Sequence, residues 1–208
     1  MSFHIIDAHM HPFYTKDEII CNYDLGTEPR GIGDDLARCG IDRFAGSVIV
    51  RNVTSFDDVK RANRDALRLR DIYGERYIPG IHIHPDFVRE SCEELQELHT
   101  LGVRYIGELV PYIMGWQTYT CPGAMEIFSV AQELGYTVSI HPTTHEDMDA
   151  LCAAFPKLSF IIAHPGEYDN YMRNLERVEK YPNAYLDICG TGLFRNRMLW
   201  YGVNRVGA

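Results

Sequence analysis

Four of the nine histidines are followed directly by proline, and each of these pairs closes a short run rich in Ile, Val, Tyr or Phe. Proline has no backbone N–H for a sheet ladder and favours an extended conformation in the residue before it, so each histidine is predicted to be the last side chain of a strand. If the strands are parallel neighbours, their carboxyl ends and these imidazoles converge. Since imidazole is the commonest metal ligand in proteins, a metal-dependent active site is the leading hypothesis. The four pairs are His11-Pro12, His84-Pro85, His141-Pro142 and His164-Pro165.

Length and charge narrow the class of protein. The chain has 208 residues, 46% of them hydrophobic, and residues 1–208 are predicted to form a single domain around one core. The 20 Lys and Arg against 29 Asp and Glu give a formal charge of -9, which argues against nucleic acids and anionic membranes as partners. No basic stretch followed by a long apolar segment is found, so a cytoplasmic protein is expected. The six cysteines form no CxxC pair, which favours reduced thiols over disulfides.

Strand-like runs alternate with amphipathic runs along the chain. Strands are predicted at 4–9, 47–53, 77–84, 104–109, 137–141, 159–164 and 184–188, and helices at 34–39, 57–73, 87–101, 124–134, 146–155, 168–181 and 193–200. This alternation requires right-handed crossovers and a parallel sheet, either doubly wound or closed into a (β/α) barrel. Gly31-Ile32-Gly33 follows a predicted loop and not a strand, which disfavours the dinucleotide-binding version. A barrel places its chemistry at the carboxyl ends of its strands, where the histidines are predicted, so a TIM-like (β/α) barrel is favoured.

Three strand-end motifs resemble the amidohydrolase superfamily, in its amidohydrolase-related branch, which also contains the aminocarboxymuconate-semialdehyde decarboxylase-like enzymes. The resemblance runs the length of the chain in the order of the family. An HxH element alone is a weak signal, but HxH with two later strand-terminal histidines is fairly specific. The resemblance implies a barrel enzyme that uses a divalent metal, with zinc as the expected ion. The motifs are Ile6-Asp7-Ala8-His9-Met10-His11 on the first strand, Ser139-Ile140-His141-Pro142 on the fifth and Ile162-Ala163-His164-Pro165-Gly166 on the sixth.

The candidate metal ligands follow from the first motif and from the resemblance. His9 and His11 are two apart on one strand, so both side chains lie on the same face and can share one cation. The resemblance implies that His9, His11 and His141 bind the metal. It implies that His164 is either a further ligand or the catalytic group that polarises a substrate carbonyl or carboxylate. Glu108, at the end of the fourth strand, resembles the metal-binding glutamate of TatD-like proteins; it would bridge two metals, or else be a solvated loop side chain.

Three residues are predicted to bind substrate. Arg51 ends the second strand region, where a guanidinium can hold a carboxylate through two hydrogen bonds, a surface ion pair being the alternative. His82 and His84 form a second HxH, but the family pattern places no metal there, so pocket lining or supporting hydrogen bonds are expected. Trp116 follows the fourth strand and is expected to wall an apolar pocket, unless it is packed in the core. Asp187 is expected to make local hydrogen bonds or to cap a helix.

The family pattern continues after the last predicted helix with an eighth strand, whose carboxyl end carries a metal-binding, proton-shuttling aspartate. The sequence stops at residue 208, where that strand is expected to begin. The chain is therefore expected to be incomplete at its C-terminus. The alternative is a variant with an open seven-stranded barrel, whose first and seventh strands have unpaired edges.

The predicted function is hydrolysis of a small-molecule substrate by a metal-activated water. Glu108 would substitute for the missing aspartate in proton transfer. Two alternatives stay open: a metal-dependent nonoxidative decarboxylase, in which Arg51 holds a carboxylate, and a noncatalytic metal-binding barrel. Hydrolysis is favoured because the segments between strands are short, whereas the decarboxylases carry longer insertions. A homo-oligomer is compatible with the sequence.

Overall fold

Strands and helices alternate along the chain in the computed structural model, which describes residues 4–20, 28–190 and 197–207. The strands are β1 (Ile6–Met10), β2 (Arg43–Ser47), β3 (Tyr77–Ile81), β4 (Tyr105–Leu109), β5 (Thr137–Ile140), β6 (Ser159–Ile162) and β7 (Ala184–Leu186). The helices are α1 (Pro29–Arg38), α2 (Phe56–Tyr73), α3 (Val88–Thr100), α4 (Pro111–Met114), α5 (Pro122–Glu133), α6 (His145–Ala154), α7 (Tyr168–Lys180) and α8 (Met198–Val206).

The seven strands form one parallel sheet in which each strand pairs with the next along the chain. The sheet curls into an open barrel with the helices outside, so the predicted TIM-like (β/α) barrel without an eighth strand is confirmed. In the described ranges no strand pairs with the outer edge of β1 or of β7. A groove of about 460 Å³ lies between these two edges, with apolar side chains from both, including Ile6 and Leu186, along its walls.

The core lies between the sheet and the helices. Phe44, Val138 and Phe160 from the strands are fully buried together with Leu69 and Phe128 from the helices. Burial of apolar surface contributes roughly 25 cal/mol per Å² and is the main term that holds strands and helices together. The packed core therefore fixes the positions of the carboxyl ends of the strands, and with them the positions at which the following loops begin.

The second strand lies earlier in the chain than predicted. The apolar run that suggested a strand at 47–53 is buried at Val48 and Val50, but it lies past the end of the sheet, and the paired residues are Arg43–Ser47. Gly46 obscures this strand in the sequence, yet it is required there, because a Cβ at that position would lie 1.6 Å from the carbonyl oxygen of Met10 on β1. Arg51 therefore lies in the loop beyond β2 and not at the strand's end.

The prediction that a histidine is the last side chain of each strand is wrong in detail. Strands β1, β3, β5 and β6 end one to three residues before their His-Pro pairs. Proline favours an extended residue before it but does not require that residue to be paired, so the backbone can leave the ladder before the proline is reached. His164, before Pro165, is not extended and has φ of 59°. The histidines consequently lie at the start of the loops, with their side chains free to turn over the end of the barrel.

Two helices also differ from the prediction. Helix α1 starts at Pro29, because a proline at the first helical position costs no hydrogen bond, and it includes Gly31 and Gly33. The predicted helix at 193–200 falls partly outside the described residues, and the observed α8 spans Met198–Val206.

In the described part of the chain, no helix is long and apolar enough to cross a membrane. The cysteines there are free thiols.

Candidate metal centre

A buried carboxylate lies at the centre of four imidazoles. Glu108 on β4 is 4% exposed, so it is a buried strand residue and not a solvated loop side chain. Its Oε2 lies 3.4 Å from Nε2 of His9 and 3.2 Å from Nε2 of His11. Its Oε1 lies 2.8 Å from Nδ1 of His141 and 3.5 Å from Nε2 of His164. The structure thus brings together all five residues proposed from the sequence as metal-binding or catalytic.

Three of the four imidazoles are held from behind by a hydrogen-bond acceptor. A carbonyl or carboxylate oxygen can only accept, so the rear nitrogen of each ring carries a proton. When such a ring is neutral, the opposite nitrogen therefore presents its lone pair toward Glu108, which is the arrangement that supports metal ligation. The rear hydrogen bonds run from Nδ1 of His9 to Asp187 Oδ2 at 2.6 Å, from Nδ1 of His11 to the Ser47 carbonyl at 3.1 Å and from Nδ1 of His164 to the Cys189 carbonyl at 3.2 Å.

Asp187 connects β1 to the loops after β6 and β7. Beside its bond to His9, its Oδ1 accepts hydrogen bonds from the backbone N–H groups of His164 and Cys189, both at 2.9 Å. The bond to the Cys189 N–H is local, as expected, whereas the bond to His9, 178 residues away, was not predicted. Its place just after a strand of the same parallel sheet was the one available signal, since side chains at such places converge.

The charges of the centre reinforce one another. Burial alone would lower the pKa of His9, but its hydrogen bonds to Asp187 and Glu108 and the negative charges of both raise that pKa to about 10. Burial alone would raise the pKa of Glu108, but hydrogen bonds from His11, His141 and His9 hold that pKa well below its usual range. Among the protein groups alone, the positively charged His9 therefore lies beside a carboxylate that stays ionised.

The donor set fits a divalent cation. Imidazole, carboxylate and thiolate are the ligands that zinc takes in proteins. His141 shares a donor group with His164 and Glu108, and not with the His9 and His11 pair, so the predicted set of His9, His11 and His141 is divided between two groups. The groups whose ligand atoms lie within 4.8 Å of one another are His9, His11 and Glu108; Glu108, His141 and His164; and His9, His164 and Cys189.

A cleft of about 290 Å³ opens over the centre, and the histidines and Glu108 lie among its lining residues. Its remaining walls are mainly apolar: Ile20, Ile49, Val110, Tyr112 and Ile113. The Tyr112 side chain is 70% exposed, and its ring centroid lies 5.4 Å from that of His141. Among the described residues that line the cleft there is no lysine or arginine.

The structure does not bring the three predicted substrate-binding residues into this cleft. Arg51 donates to the backbone carbonyls of Asp17 and Ile19, and so supports the segment that supplies Ile20 to the cleft wall. His84 is buried, with Nε2 3.3 Å from the carbonyl oxygen of Met114. Trp116 is also buried and packs on Tyr119. Substrate contact by Arg51, His84 or Trp116 stays a prediction.

His82 supports the structure behind the site. Its Nε2 donates to the carbonyl of Val48 at 2.7 Å, and burial is the main cause that lowers its pKa to about 4. This imidazole is therefore neutral and fixes the loop that follows β2, in line with the supporting hydrogen bonds expected from the sequence.

The structure also gives Tyr119 a role that the sequence did not indicate. Its buried hydroxyl lies 2.9 Å from the carbonyl oxygens of both Leu109 and His141, and it donates its one proton to either. The side chain of Asp147 accepts from the backbone N–H groups of Tyr119 and Thr120 at 2.8 and 3.0 Å, which fixes the tyrosine. The phenol therefore clamps the ends of β4 and β5 beside two members of the centre.

Comparison with known proteins places this geometry in context. The sequence model of the family described as "Amidohydrolase" matches residues 6–202. A dihydroorotase of Helicobacter hepaticus is 29% identical over 119 residues, which cover 51% of this chain and 34% of that protein. A dihydroorotase of Helicobacter pylori is 24% identical over 169 residues, which cover 72% of this chain and 48% of that protein. The chain thus spans half or less of the length of these curated relatives.

Solved structures show the likeness of fold. A probable 2-pyrone-4,6-dicarboxylic acid hydrolase of Acinetobacter baumannii aligns with a TM-score of 0.62 and 15% identity over 90% of this chain and 71% of that one. The 2,6-dihydroxybenzoate decarboxylase of Rhizobium aligns with a TM-score of 0.64 and 15% identity over 98% of this chain and 84% of that one.

Proposed function

The chain belongs to the amidohydrolase family, whose members are generally enzymes. We propose that it hydrolyses a small molecule with the help of a divalent cation, and that this cation is zinc. The observation that carries the proposal is the convergence of four imidazoles on the carboxylate of Glu108, within 2.8 to 3.5 Å of its oxygens. Buried acids are rarely surrounded by four imidazoles for structural reasons alone. Metal centres, in contrast, are built from several imidazole and carboxylate ligands at one place.

The residues of the chain would bind and orient the cation. His9 and His11 would bind it through Nε2, and Glu108 would add a carboxylate oxygen. Asp187 and the Ser47 carbonyl keep the Nδ1 protons of the two rings in place, so the lone pairs point inward. When bound, a divalent cation supplies a Lewis acid that polarises a carbonyl group and makes water more acidic.

His164 is the proposed group for proton handling. Its side chain is 31% exposed at the cleft, which makes it accessible to substrate, and its Nδ1 is bonded to the Cys189 carbonyl. As an imidazolium, it would donate from Nε2 to the oxygen or leaving group of a substrate. Glu108 suits this task less well, because its depressed pKa makes it a weak base. Glu108 is therefore better suited to hold a cation than to substitute for a missing aspartate.

The lining of the cleft favours hydrolysis over decarboxylation. A decarboxylase must hold a substrate carboxylate, and a guanidinium does so best. The guanidinium of Arg51 bonds to backbone carbonyls instead, and the described lining residues of the cleft include no lysine or arginine. An uncharged amide or ester facing apolar walls fits this surface better than a second carboxylate.

The proposal is tested on purified protein stripped of metal by a chelator and reloaded with zinc or manganese. An uncharged cyclic amide is the first hydrolysis probe. Dihydroorotate and 2-pyrone-4,6-dicarboxylate are tested beside it, because proteins related in sequence or fold carry these names, and 2,6-dihydroxybenzoate serves as the decarboxylation probe. We expect hydrolysis of a ring probe that is lost with the metal, restored by zinc and absent from the double variant His9→Ala/His11→Ala. The control is His4→Ala, whose side chain is 90% exposed. Release of carbon dioxide without hydrolysis would replace the proposal, and failure of the wild-type protein to bind any divalent cation would end it.

A further inference from the structure

The third donor group of the centre contains a thiol. Cys189 lies just after β7, and its Sγ and one ring nitrogen each of His9 and His164 lie within 4.8 Å of one another. The same cysteine lines both the cleft over the centre and the groove between β1 and β7. The thiol is thus on the side of the centre where, among the described residues, no further strand covers it.

The backbone of Cys189 is bound on both sides by the centre itself. Its N–H donates to Asp187 Oδ1 at 2.9 Å, and its carbonyl accepts from His164 Nδ1 at 3.2 Å. The next residue, Gly190, has φ of 92°, and a Cβ there would lie 3.0 Å from His164 Nδ1. The backbone of this segment therefore packs directly against His164. These contacts fix the backbone of Cys189 and with it the place from which the thiol extends.

We propose that Cys189 is a thiolate ligand of the cation that His9 binds in this centre, beside the proton-handling His164, and that it makes the site prefer zinc to manganese and magnesium. The inference rests on the proposed function only in requiring that the centre binds a divalent cation. On binding, the S–H bond breaks, the sulfur keeps the electron pair that it donates to the cation, and the proton passes to solvent.

Distances and ligand chemistry support this assignment. A tetrahedral zinc ion with bonds of about 2.0 to 2.3 Å places its ligand atoms about 3.3 to 3.6 Å apart. Since Sγ of Cys189 and a ring nitrogen of His9 already lie within 4.8 Å of each other, a decrease of about 1.5 Å or less in their separation brings them to this distance. Thiolate is a soft ligand that suits zinc, whereas manganese and magnesium prefer oxygen ligands.

Cobalt absorption spectroscopy reads the ligand directly. We expect metal-free wild-type protein titrated with Co²⁺ to develop both visible ligand-field bands and a strong sulfur-to-cobalt charge-transfer band in the near ultraviolet. Cys189→Ser should keep the visible bands and lose the charge-transfer band. Cys39→Ser is the matched control, because Cys39 is an exposed thiol at the end of α1, and it should keep both.

Metal competition gives a second readout. Since mutation of even an outer-shell partner commonly costs about 10- to 100-fold in metal affinity, Cys189→Ser should lose at least about tenfold in zinc affinity. Its manganese affinity should change much less.

The outcomes separate the two proposals. Cobalt binding to the wild-type protein without a charge-transfer band would overturn the role of Cys189 and leave the metal-dependent function intact. A charge-transfer band that persists in Cys189→Ser would assign the ligand to another thiol and also overturn it. Absence of cobalt and zinc binding in the wild type would overturn both. If Cys189→Ser fails to fold, Cys189→Ala replaces it, and absence of the band from the wild type overturns the role of Cys189 without any variant.

Discussion

Asp187 determines which nitrogen of His9 faces the centre. Its Oδ2 accepts the Nδ1 proton of His9 at 2.6 Å, while its Oδ1 holds the backbone of His164 and Cys189. One carboxylate thus sets the tautomer of His9 and the backbone positions of His164 and Cys189. Its negative charge also contributes to the raised pKa of His9, about 10 against an ordinary 6.5.

The raised pKa predicts that zinc must displace a proton from His9. In metal-free protein this imidazolium stabilises the fold fully below pH 6.5, and the contribution is lost as the pH rises through about 10. The displaced proton of His9 should therefore increase zinc affinity by about tenfold per pH unit over the same window, and the thiol proton of Cys189, which the cation also displaces, adds to this slope. Calorimetric zinc titrations between pH 6.5 and 9 measure this slope, and an affinity independent of pH would contradict it.

Asp187→Asn should reduce the number of protons released per zinc ion. The variant removes a hydrogen bond and a charge that raise the pKa of His9, so less of the ring is protonated at pH 8. Calorimetry in two buffers of different ionisation enthalpy counts these protons. Asp86→Asn is the control, because its side chain is 75% exposed. Equal proton release from Asp187→Asn and wild type would show that the aspartate does not set the protonation of His9.

At the scale of elements, the centre depends on how the ends of β4 and β5 are held together. Glu108 is on β4, and His141 follows β5 directly. The backbone N–H of His141 donates to the carbonyl of Leu109, and the hydroxyl of Tyr119 lies 2.9 Å from both that oxygen and the carbonyl oxygen of His141. The short helix α4 and the segment up to α5 carry this tyrosine back over the strand ends.

Tyr119→Phe should therefore weaken metal binding as well as stability. Removal of the hydroxyl leaves a buried carbonyl without its partner, at a cost of about 1 to 3 kcal/mol in the free energy of unfolding. Tyr136→Phe is the matched control, because this buried tyrosine makes one hydrogen bond of 2.8 Å to the carbonyl of Leu95 in α3, away from the centre. Denaturant unfolding should show a loss of stability in both variants, and zinc titration a loss of affinity only in Tyr119→Phe. Equal zinc affinities would mean that Tyr119 is structural alone.

The sequence predicted the elements better than their ends. Short β-rich runs and amphipathic runs identified seven strands and the alternation, because period and apolar content are local properties. The end of β2 was missed, since burial of Val48 and Val50 beyond the sheet looks the same in sequence as burial within it. The histidines and Glu108 were identified from motifs, whereas Asp187 and Tyr119 act through partners that only the folded chain places beside them.

At the scale of the whole molecule, the centre joins parts of the chain that are distant in sequence. Its members extend from His9 to Cys189, whereas sheet pairing joins each strand only to its neighbours along the chain. A cation held there would therefore cross-link the first and the last strands of the open barrel without a strand between them.

Zinc should consequently stabilise the folded protein. At a free concentration of 100 times Kd, a ligand that binds only the folded state adds about 2.7 kcal/mol, which for a chain of this size raises Tm by roughly 5 to 10 °C. Differential scanning calorimetry with and without zinc measures the shift. His4→Ala should match wild type, and His9→Ala/His11→Ala should show no shift. A wild-type Tm that is insensitive to zinc would argue against a centre formed only in the folded state.

The order of the sheet also has a consequence for synthesis on the ribosome. Because each strand pairs with the one made just before it, β1 and β2 can pair once Ser47 has emerged, and the sheet can grow strand by strand as translation proceeds. Among the residues of the centre, His9 and His11 are synthesised first, whereas Asp187 and Cys189 are not available until β7 has been translated. The nascent chain therefore carries these two histidines without their partners until the loop after β7 has been made, and a complete donor set marks a chain in which β1 to β7 are all in place.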